Sequence, residues 1–158
     1  MGEEMKAIVF QLNEEEYGVD ILQVRSIEKM QAITRVPRAP EFVSGVINLR
    51  GVVTPVIDLR KRFSLKQRDT TEETRILVVD VDGTDAGLIV DHATDIVDIP
   101  VHAIEPPADI VGGVKAEYLH GVAKLKDRLL ILLNLEKVLN PGEVEELKSF
   151  RENDHGVG

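Results

Sequence analysis

Histidine, serine and carboxylate side chains are the groups of this sequence that could do chemistry, and their spacing favours none of the usual sites. Cysteine is absent, which removes thiolate metal ligands, cysteine nucleophiles and disulfides. The four histidines lie at no metal-ligand spacing and the four serines in no Gly-x-Ser-x-Gly motif; they are His92, His102, His120 and His155, and Ser26, Ser44, Ser64 and Ser149. We therefore expect no metal, no cofactor and no catalytic residue.

Carboxylate pairs such as Asp91 with Asp95 and Asp80 with Asp82 are common in a chain that has 28 acidic residues. Acid–base catalysis needs two such groups to converge on one cleft, and the spacing gives no sign that they do. No glycine-rich phosphate-binding loop is present, and Gly112-Gly113 is typical of a turn. The sequence therefore favours a binding module over an enzyme.

The charge of the chain restricts its partners. The net charge of −9 repels phosphate backbones, so we expect no nucleic acid partner. The basic run Arg60–Arg62, with Lys66 and Arg68 nearby, is interpreted as a solvated linker face. No stretch approaches about 20 apolar residues and the acidic N-terminus lacks a signal-peptide pattern, so we expect a cytoplasmic protein without membrane insertion.

An internal duplication organises the chain. Residues 6–37 align with 75–106 at a shift of 69, and residues 45–59 align with 121–135 at a shift of 76. The coinciding apolar positions include Ile8/Leu77, Phe10/Val79, Leu12/Val81, Val19/Leu88, Ile21/Val90, Val24/Ala93, Ile27/Ile96 and Met30/Ile99; Gly18 also meets Gly87, and Gly45 meets Gly121. Seven extra residues lie between Pro106 and Gly121. We infer two copies of one structural unit.

Each copy has the period-two alternation of β-strands, as in Ile8, Phe10 and Leu12. Leu129–Leu133 is apolar on both faces, which predicts a deeply buried strand. Short strands repeated twice predict an all-β fold of two pseudo-symmetric five-stranded β-barrels with SH3- or OB-like character.

Helix is predicted only in short pieces. One turn is expected at Pro40–Gly45, another within Asp20–Ile27, and a C-terminal helix at Glu143–Arg151 followed by a frayed tail.

The duplication predicts one domain at about 1–140. Repeat 1 spans about 6–66, a polar linker 67–74, and repeat 2 about 75–140, with the C-terminal helix and tail at 141–158. A barrel of about 65 residues is marginal alone, so the two copies must pack together or exchange strands, which the sequence leaves open.

Several segments resemble the CheW family of chemotaxis coupling proteins. They are Glu16–Val24, Ile33–Val43, Gly45–Leu59 with its Asn48-Leu49-Arg50-Gly51 motif, Gly87–Asp91, Tyr118–Gly121 and Leu129–Leu139. Their order is kept over about residues 5 to 140. The resemblance implies two intertwined five-stranded barrels and a non-enzymatic adaptor that couples the histidine kinase CheA to methyl-accepting chemoreceptors, in arrays at the inner face of the membrane.

The resemblance also implies binding residues. Arg50 matches the arginine tied to receptor coupling, and Val24 and Ile27 match apolar positions of the receptor-binding groove. Ile76 is expected to add a contact from the second barrel. From pattern alone, Val24 and Ile27 also fit plain core positions, and Arg50 fits a surface arginine of a hairpin bend.

Ser44 and Gly45 fall beside the surface that meets the kinase regulatory domain in the family. The chain departs from the family pattern at Ser26, where many members have Glu, and at His92, where many have Gly. These departures bear on the transfer of individual site residues.

Three other interpretations stay open. One is a double-barrel enzyme, which would need a pocket with convergent carboxylates of shifted pKa. Another is a CheV-type adaptor, which adds a receiver domain. The sequence has no second segment with the α/β pattern that such a domain would show. The third is a detached regulatory domain of a kinase.

Overall fold

The computed structural model describes residues 3–139 and 142–143, and β-strands dominate this part of the chain. Repeat 1 contributes β1 (Glu4–Leu12), β2 (Glu15–Asp20), β3 (Val24–Lys29), β4 (Val43–Leu49), β5 (Val52–Asp58) and the one-turn helix α1 (Leu59–Arg62). Repeat 2 contributes β6 (Arg75–Val81), β7 (Thr84–Val90), β8 (His92–Pro100), β9 (Ile104–Glu105), β10 (Ile110–Val111), β11 (Val114–Lys115), β12 (Leu119–Leu125), β13 (Arg128–Leu133) and the one-turn helix α2 (Leu135–Val138). The all-β prediction is confirmed.

The two main sheets exchange their hairpins between repeats. One sheet has the strand order β8-β1-β2-β13-β12-β9 and the other β3-β6-β7-β5-β4. Hairpin β1–β2 of repeat 1 therefore lies in the sheet of repeat 2, and hairpin β6–β7 lies in the sheet of repeat 1. The exchanged hairpins join their hosts through the parallel pairs β2–β13 and β5–β7. The fold is intertwined, and neither repeat can complete its sheet alone.

In each sheet, a short chain segment connects the two edge strands, and the sheet is curled. The edge strands β8 and β9 are separated only by the 3₁₀ turn Val101–Ala103. In the other sheet the chain leaves β3 and reaches Thr34, which exchanges two backbone hydrogen bonds with Val46 of β4 (2.9 and 2.8 Å). The two edges of each sheet are thereby brought together.

Three apolar clusters stabilise this arrangement. The largest lies between the sheets and contains Phe10 and Tyr17, whose rings stack at 5.6 Å, together with Leu77 and Val79. A smaller cluster fills the inside of each curled sheet, around Leu132 in one and Ile76 in the other. Full burial of one such side chain contributes about 1.5–3 kcal/mol, so the interface between repeats is a main source of stability.

The insertion of repeat 2, between Pro106 and Gly121, contains a small β-hairpin. Gly112 and Gly113 have φ of 59° and 84° and make the turn between β10 and β11, as predicted. Val114 of this hairpin is fully buried in the cluster between the sheets. The insertion therefore covers the central core.

The short helical pieces differ from the prediction in part. Within Asp20–Ile27 only Ile21–Gln23 is helical, as a 3₁₀ turn that Asp20 caps, and the remainder starts β3. Of the predicted C-terminal helix, only its first residue, Glu143, lies within the described residues, and it is helical. The remainder of the helix and the tail lie outside them.

Candidate partner-binding surfaces

Strand β3 is an edge strand that carries two of the predicted binding residues on one face. A register shift between Val24 and Ser26 lets both Val24 and Ile27 pair with residues of the inter-sheet core, Val79 and Leu77 respectively. Directly paired residues project to the same side of a sheet, so Val24 and Ile27 extend the central core outward. Val24 is half-buried and Ile27 is 44% exposed. This edge offers apolar surface to a partner.

Arg50 lies at the tip of hairpin β4–β5 and approaches β3. Arg50 and Gly51 form the turn with φ of 51° and 85°, and the side chain of Asn48 accepts a hydrogen bond of 2.8 Å from the Gly51 N–H. One guanidinium nitrogen of Arg50 lies 3.5 Å from a carboxylate oxygen of Glu28, which follows Ile27 on β3. The otherwise exposed arginine is therefore next to the strand of the apolar pair.

Ile76 is a correction to the sequence-based expectation, because its side chain has no exposed surface. Odd-numbered residues of β6 face the inter-sheet core, whereas Ile76 and Val78 face the inside of the curled sheet with Ile47 and Val56. Strand alternation thus turns Ile76 away from any partner in this conformation. Its contribution is to support β3 and β7 from within.

Ser44 and Gly45 follow the first residue of β4 and differ in their accessibility to a partner. Ser44 is half-buried and lines an open depression of about 700 Å³. Gly45 is buried with φ of 150°, and a Cβ atom there would lie 2.8 Å from a side-chain carbon of Ile33 and clash with the Thr34 backbone. Glycine is therefore required at position 45 because the Thr34 backbone approaches it closely. Of the two residues, Ser44 is the one that a partner can reach.

The depression beside Ser44 is rich in cations, of which the sequence pattern had singled out only Lys61, as part of the basic run Arg60–Arg62. Arg35, Arg38 and Lys61 line it together with the single carboxylate of Glu41. The signal was present as two arginines among the prolines of residues 35–40, but only the fold adds Lys61 from α1.

Leu22 is a second residue that sequence reasoning missed. It lies in the 3₁₀ turn before β3 and is 89% exposed, although it is a large apolar side chain. Its neighbour Ile21 packs against the inter-sheet core. The available signal was an apolar residue that falls off the spacing of positions 21, 24 and 27.

The basic run Arg60–Arg62 is only in part the solvated face that was expected, since Lys61 is exposed but Arg60 and Arg62 are not. Arg60 is only 5% exposed, forms an ion pair with Asp91 and donates a hydrogen bond of 2.7 Å to the side chain of Asn13. Asn13 belongs to hairpin β1–β2 in the other sheet. The network therefore ties the two sheets together.

Arg62 makes a second tie between repeats. It donates hydrogen bonds to the carbonyl of Val138 (2.8 Å) and to both carboxylate oxygens of Glu143 (2.7 Å each). Its guanidinium lies over the rings of Phe42 and Tyr118, at 4.6 and 5.4 Å. Phe42 and Tyr118 occupy equivalent positions of the two repeats, so Arg62 lies between one aromatic residue from each repeat.

The resolved pKa shifts of buried or paired groups trace to structural contacts. Burial raises the pKa of Tyr17 to about 12 and lowers the pKa of Arg60. Hydrogen bonds from Arg128 and then from Thr94 lower the pKa of Asp95, and the same ion pair raises the pKa of Arg128.

In residues 3–139 and 142–143, no three His, Asp or Glu side chains lie where they could hold a metal ion. Within the same residues, no helix has the length and apolar character needed to cross a membrane.

Comparisons with known proteins agree with this architecture. The family model of the CheW-like domain matches residues 6–143. The chain is 42% identical over 135 residues to chemotaxis protein CheW of Bacillus subtilis (strain 168), covering 85% of this chain and 86% of the relative. It is 36% identical over 137 residues to chemotaxis protein CheW of Klebsiella aerogenes, covering 87% and 82%.

Among solved structures, the chain is similar to the scaffolding protein TtCheW from Thermoanaerobacter tengcongensis. The two superpose with a TM-score of 0.80 at 39% sequence identity, over 89% of this chain and 90% of that one. The agreement extends over both curled sheets.

Proposed function

The chain belongs to the CheW-like family of chemotaxis scaffold proteins, and we propose that it couples the histidine kinase CheA to methyl-accepting chemoreceptors without being an enzyme. In this role it binds two proteins at separate surfaces. One is the cytoplasmic tip of the receptor and the other is the regulatory domain of the kinase. The protein then works in the cytoplasm, within receptor arrays at the inner face of the membrane.

The observation that carries this proposal is the association of Arg50 with the apolar edge strand β3. Val24 packs against the inter-sheet core, and the exposed Ile27 pairs with Leu77 of that core on the same face of β3. Arg50, brought within 3.5 Å of Glu28, adds a fixed positive charge at the same strand edge, on the opposite face, which Glu28 shares with Ile76. An amphipathic helix could lay its apolar face on Val24 and Ile27, with Leu22 as a further contact.

Arg50 would orient such a helix. The guanidinium is permanently charged and presents several N–H donors in one plane, which suits a carboxylate or the carbonyl groups at a helix end. Its ion pair with Glu28 is exposed on the arginine side and contributes little stability, so a partner can replace it at low cost.

The kinase surface is assigned to the region of Ser44. Ser44 lines the open depression, and Gly45 lets β4 approach the segment around Thr34 closely enough to form it. Two interfaces of ordinary size, each about 800 Å² per partner, suit a reversible scaffold. Micromolar contacts of about −8 kcal/mol each would gain from multivalency in an array.

Co-sedimentation tests the proposal. The full chain is mixed with a receptor tip fragment, with the kinase regulatory domain, and with both. We expect binding to each partner alone and a ternary complex with both, because the surfaces are separate. Absence of binding to either partner, or competition between them, would contradict the proposal.

A further inference from the structure

Arg35 and Arg38 are unusual among the arginines of this protein. The seven other arginines within residues 3–139 all form an ion pair or a side-chain hydrogen bond, whether with carboxylates or, for Arg75, with backbone carbonyls. Over the same described residues, Arg35 and Arg38 have no such partner. Both are exposed and both line the depression beside Ser44.

Lys61 adds a third unpaired cation to this depression. Its neighbours Arg60 and Arg62 are committed to Asp91 and Glu143, whereas Lys61 is exposed and has no ion pair within residues 3–139 and 142–143. Glu41 is the one carboxylate among the lining residues. A local excess of two positive charges therefore stands on a chain whose net charge is −9.

The segment that carries Arg35 and Arg38 is ordered by its own backbone hydrogen bonds. Ala39 N–H donates to the Val36 carbonyl (3.4 Å) and Val43 N–H to the Pro40 carbonyl (3.0 Å). Asp58 N–H donates to the Phe42 carbonyl (2.8 Å), which fixes the end of the segment to β5. A pre-organised loop loses less conformational entropy when a partner binds.

The equivalent depression of repeat 2 lacks this charge pattern. It has a similar volume of about 680 Å³ and contains Lys137 and Glu117, the repeat equivalents of Lys61 and Glu41. Its lining adds Glu136 and the committed Arg62 in place of the two free arginines. The excess of positive charge is therefore a property of repeat 1 and not a consequence of the fold.

We propose that this depression binds an acidic protein surface, with Arg35, Arg38 and Lys61 pairing to carboxylates of the partner that docks at Ser44. The inference rests on the proposed function, since it gives the chemistry of the kinase-facing site. Nucleic acid and anionic membranes are disfavoured, because an extended polyanion would also meet the surrounding negative charge, whereas a protein places its carboxylates locally.

Titration of the full-length chain with the kinase regulatory domain tests the inference. We expect Arg35→Glu with Arg38→Glu to weaken binding about tenfold, mainly through a slower association rate, and to flatten its dependence on salt. Lys61→Glu should weaken binding in the same sense. The matched control is Lys137→Glu, which makes the same change at the equivalent position of repeat 2 and should bind normally.

The possible outcomes separate the two proposals. Normal, salt-insensitive binding by the double arginine variant would overturn the acidic-surface inference and leave the coupling role intact. Failure of the wild-type chain to bind the kinase domain would overturn the coupling role and this inference with it. If the arginine changes abolish binding to phosphatidylserine vesicles and spare the kinase domain, the depression is a lipid site and the inference is wrong. Urea unfolding of every variant checks that the fold is kept.

Discussion

Arg60 and Asp91 form an ion pair at the junction of the two curled sheets. Arg60 follows β5 and Asp91 follows β7 within one sheet, and both side chains also bond to Asn13 of the other. Burial lowers the pKa of Arg60, which measures the cost of keeping a cation there. Hydrogen bonds from Arg60 and to Asp91 offset that cost, so the network is sensitive to loss of either partner.

Removing the carboxylate of Asp91 should destabilise the protein strongly. Asp91→Ala removes the carboxylate that is ion-paired with the buried Arg60, and we expect the free energy of unfolding to fall by about 3 kcal/mol. Urea denaturation measures this change. The control Asp98→Ala removes a carboxylate of the exposed Lys6–Asp98 pair and should cost less than about 1 kcal/mol. Equal effects of both variants would show that Arg60 does not depend on its partner.

Gly45 should tolerate no side chain. Gly45→Ala would place a Cβ atom against Ile33 and the backbone of Thr34, and we expect a loss of about 3 kcal/mol of stability. The control Gly83→Ala also has positive φ, at 81°, but open space around it, so about 1 kcal/mol is expected. Thermal and urea unfolding compare the two. If Gly45→Ala costs no more than Gly83→Ala, the close approach to Thr34 is not restrictive.

The buried Tyr17 should make the protein sensitive to alkali. Its pKa is raised by burial to about 12 from an ordinary value of 10.0. The folded state keeps the phenolic proton when the unfolded state has lost it, so stability is full below pH 10 and falls as pH rises to about 12. The loss is on the order of 2 kcal/mol.

Unfolding of wild type and Tyr17→Phe between pH 8 and about 12 measures this contribution. The variant has no phenol at this position, so its stability should fall less over the upper part of the range. Absorbance at 295 nm should lose the late-ionising tyrosine in the same variant. A wild-type curve parallel to that of the variant would mean that Tyr17 is not held neutral.

The Arg128–Asp95 pair should control the acid titration of Asp95. Arg128 donates hydrogen bonds of 2.8 and 3.2 Å to Asp95, and Thr94 donates one of 2.7 Å. These contacts lower the pKa of Asp95 from its ordinary value of 3.8, so the stability they contribute is present above that value and lost as pH falls through the folded pKa. Arg128→Met should therefore raise the pKa of Asp95.

Carbon-13 NMR of the carboxyl group measures that pKa. The control Lys6→Met removes a cation that pairs with Asp98 on the same strand, and should leave the pKa of Asp95 unchanged. An unchanged titration in Arg128→Met would contradict the assigned cause.

The sequence predicted the fold class because strand alternation and the duplication both follow from local pattern. Gly18 and Gly87, which the 69-residue shift superposes, both lie in parallel strand pairs. A Cβ atom would press on Leu132 of the parallel partner at Gly18, and on Ile76 of the antiparallel neighbour β6 at Gly87. The exchange of hairpins has no local signature in the pattern, which left it open, and only the family resemblance implied it. The helical segment beyond Glu143 and the tail lie outside the described residues.

Strand parity decides which predicted site residues are exposed to a partner. Val24 and Ile27 share a face only because of the register shift before Ser26, which the sequence does not reveal. The prediction of Ile76 did not include which face of β6 each residue occupies, and the side chain of Ile76 faces the inside of the curled sheet. The burial of Arg60 depends on Asp91 and Asn13, which are distant in sequence, so composition alone misjudged it as solvated.

Receptor-stimulated kinase activity, in a reconstitution with receptor and CheA, tests the central claim most directly. The wild-type chain should activate the kinase, and Arg50→Glu should keep its unfolding free energy within about 0.5 kcal/mol while losing activation. Arg68→Glu, a charge reversal at another partly exposed arginine, should activate normally. Normal activation by Arg50→Glu would contradict the account.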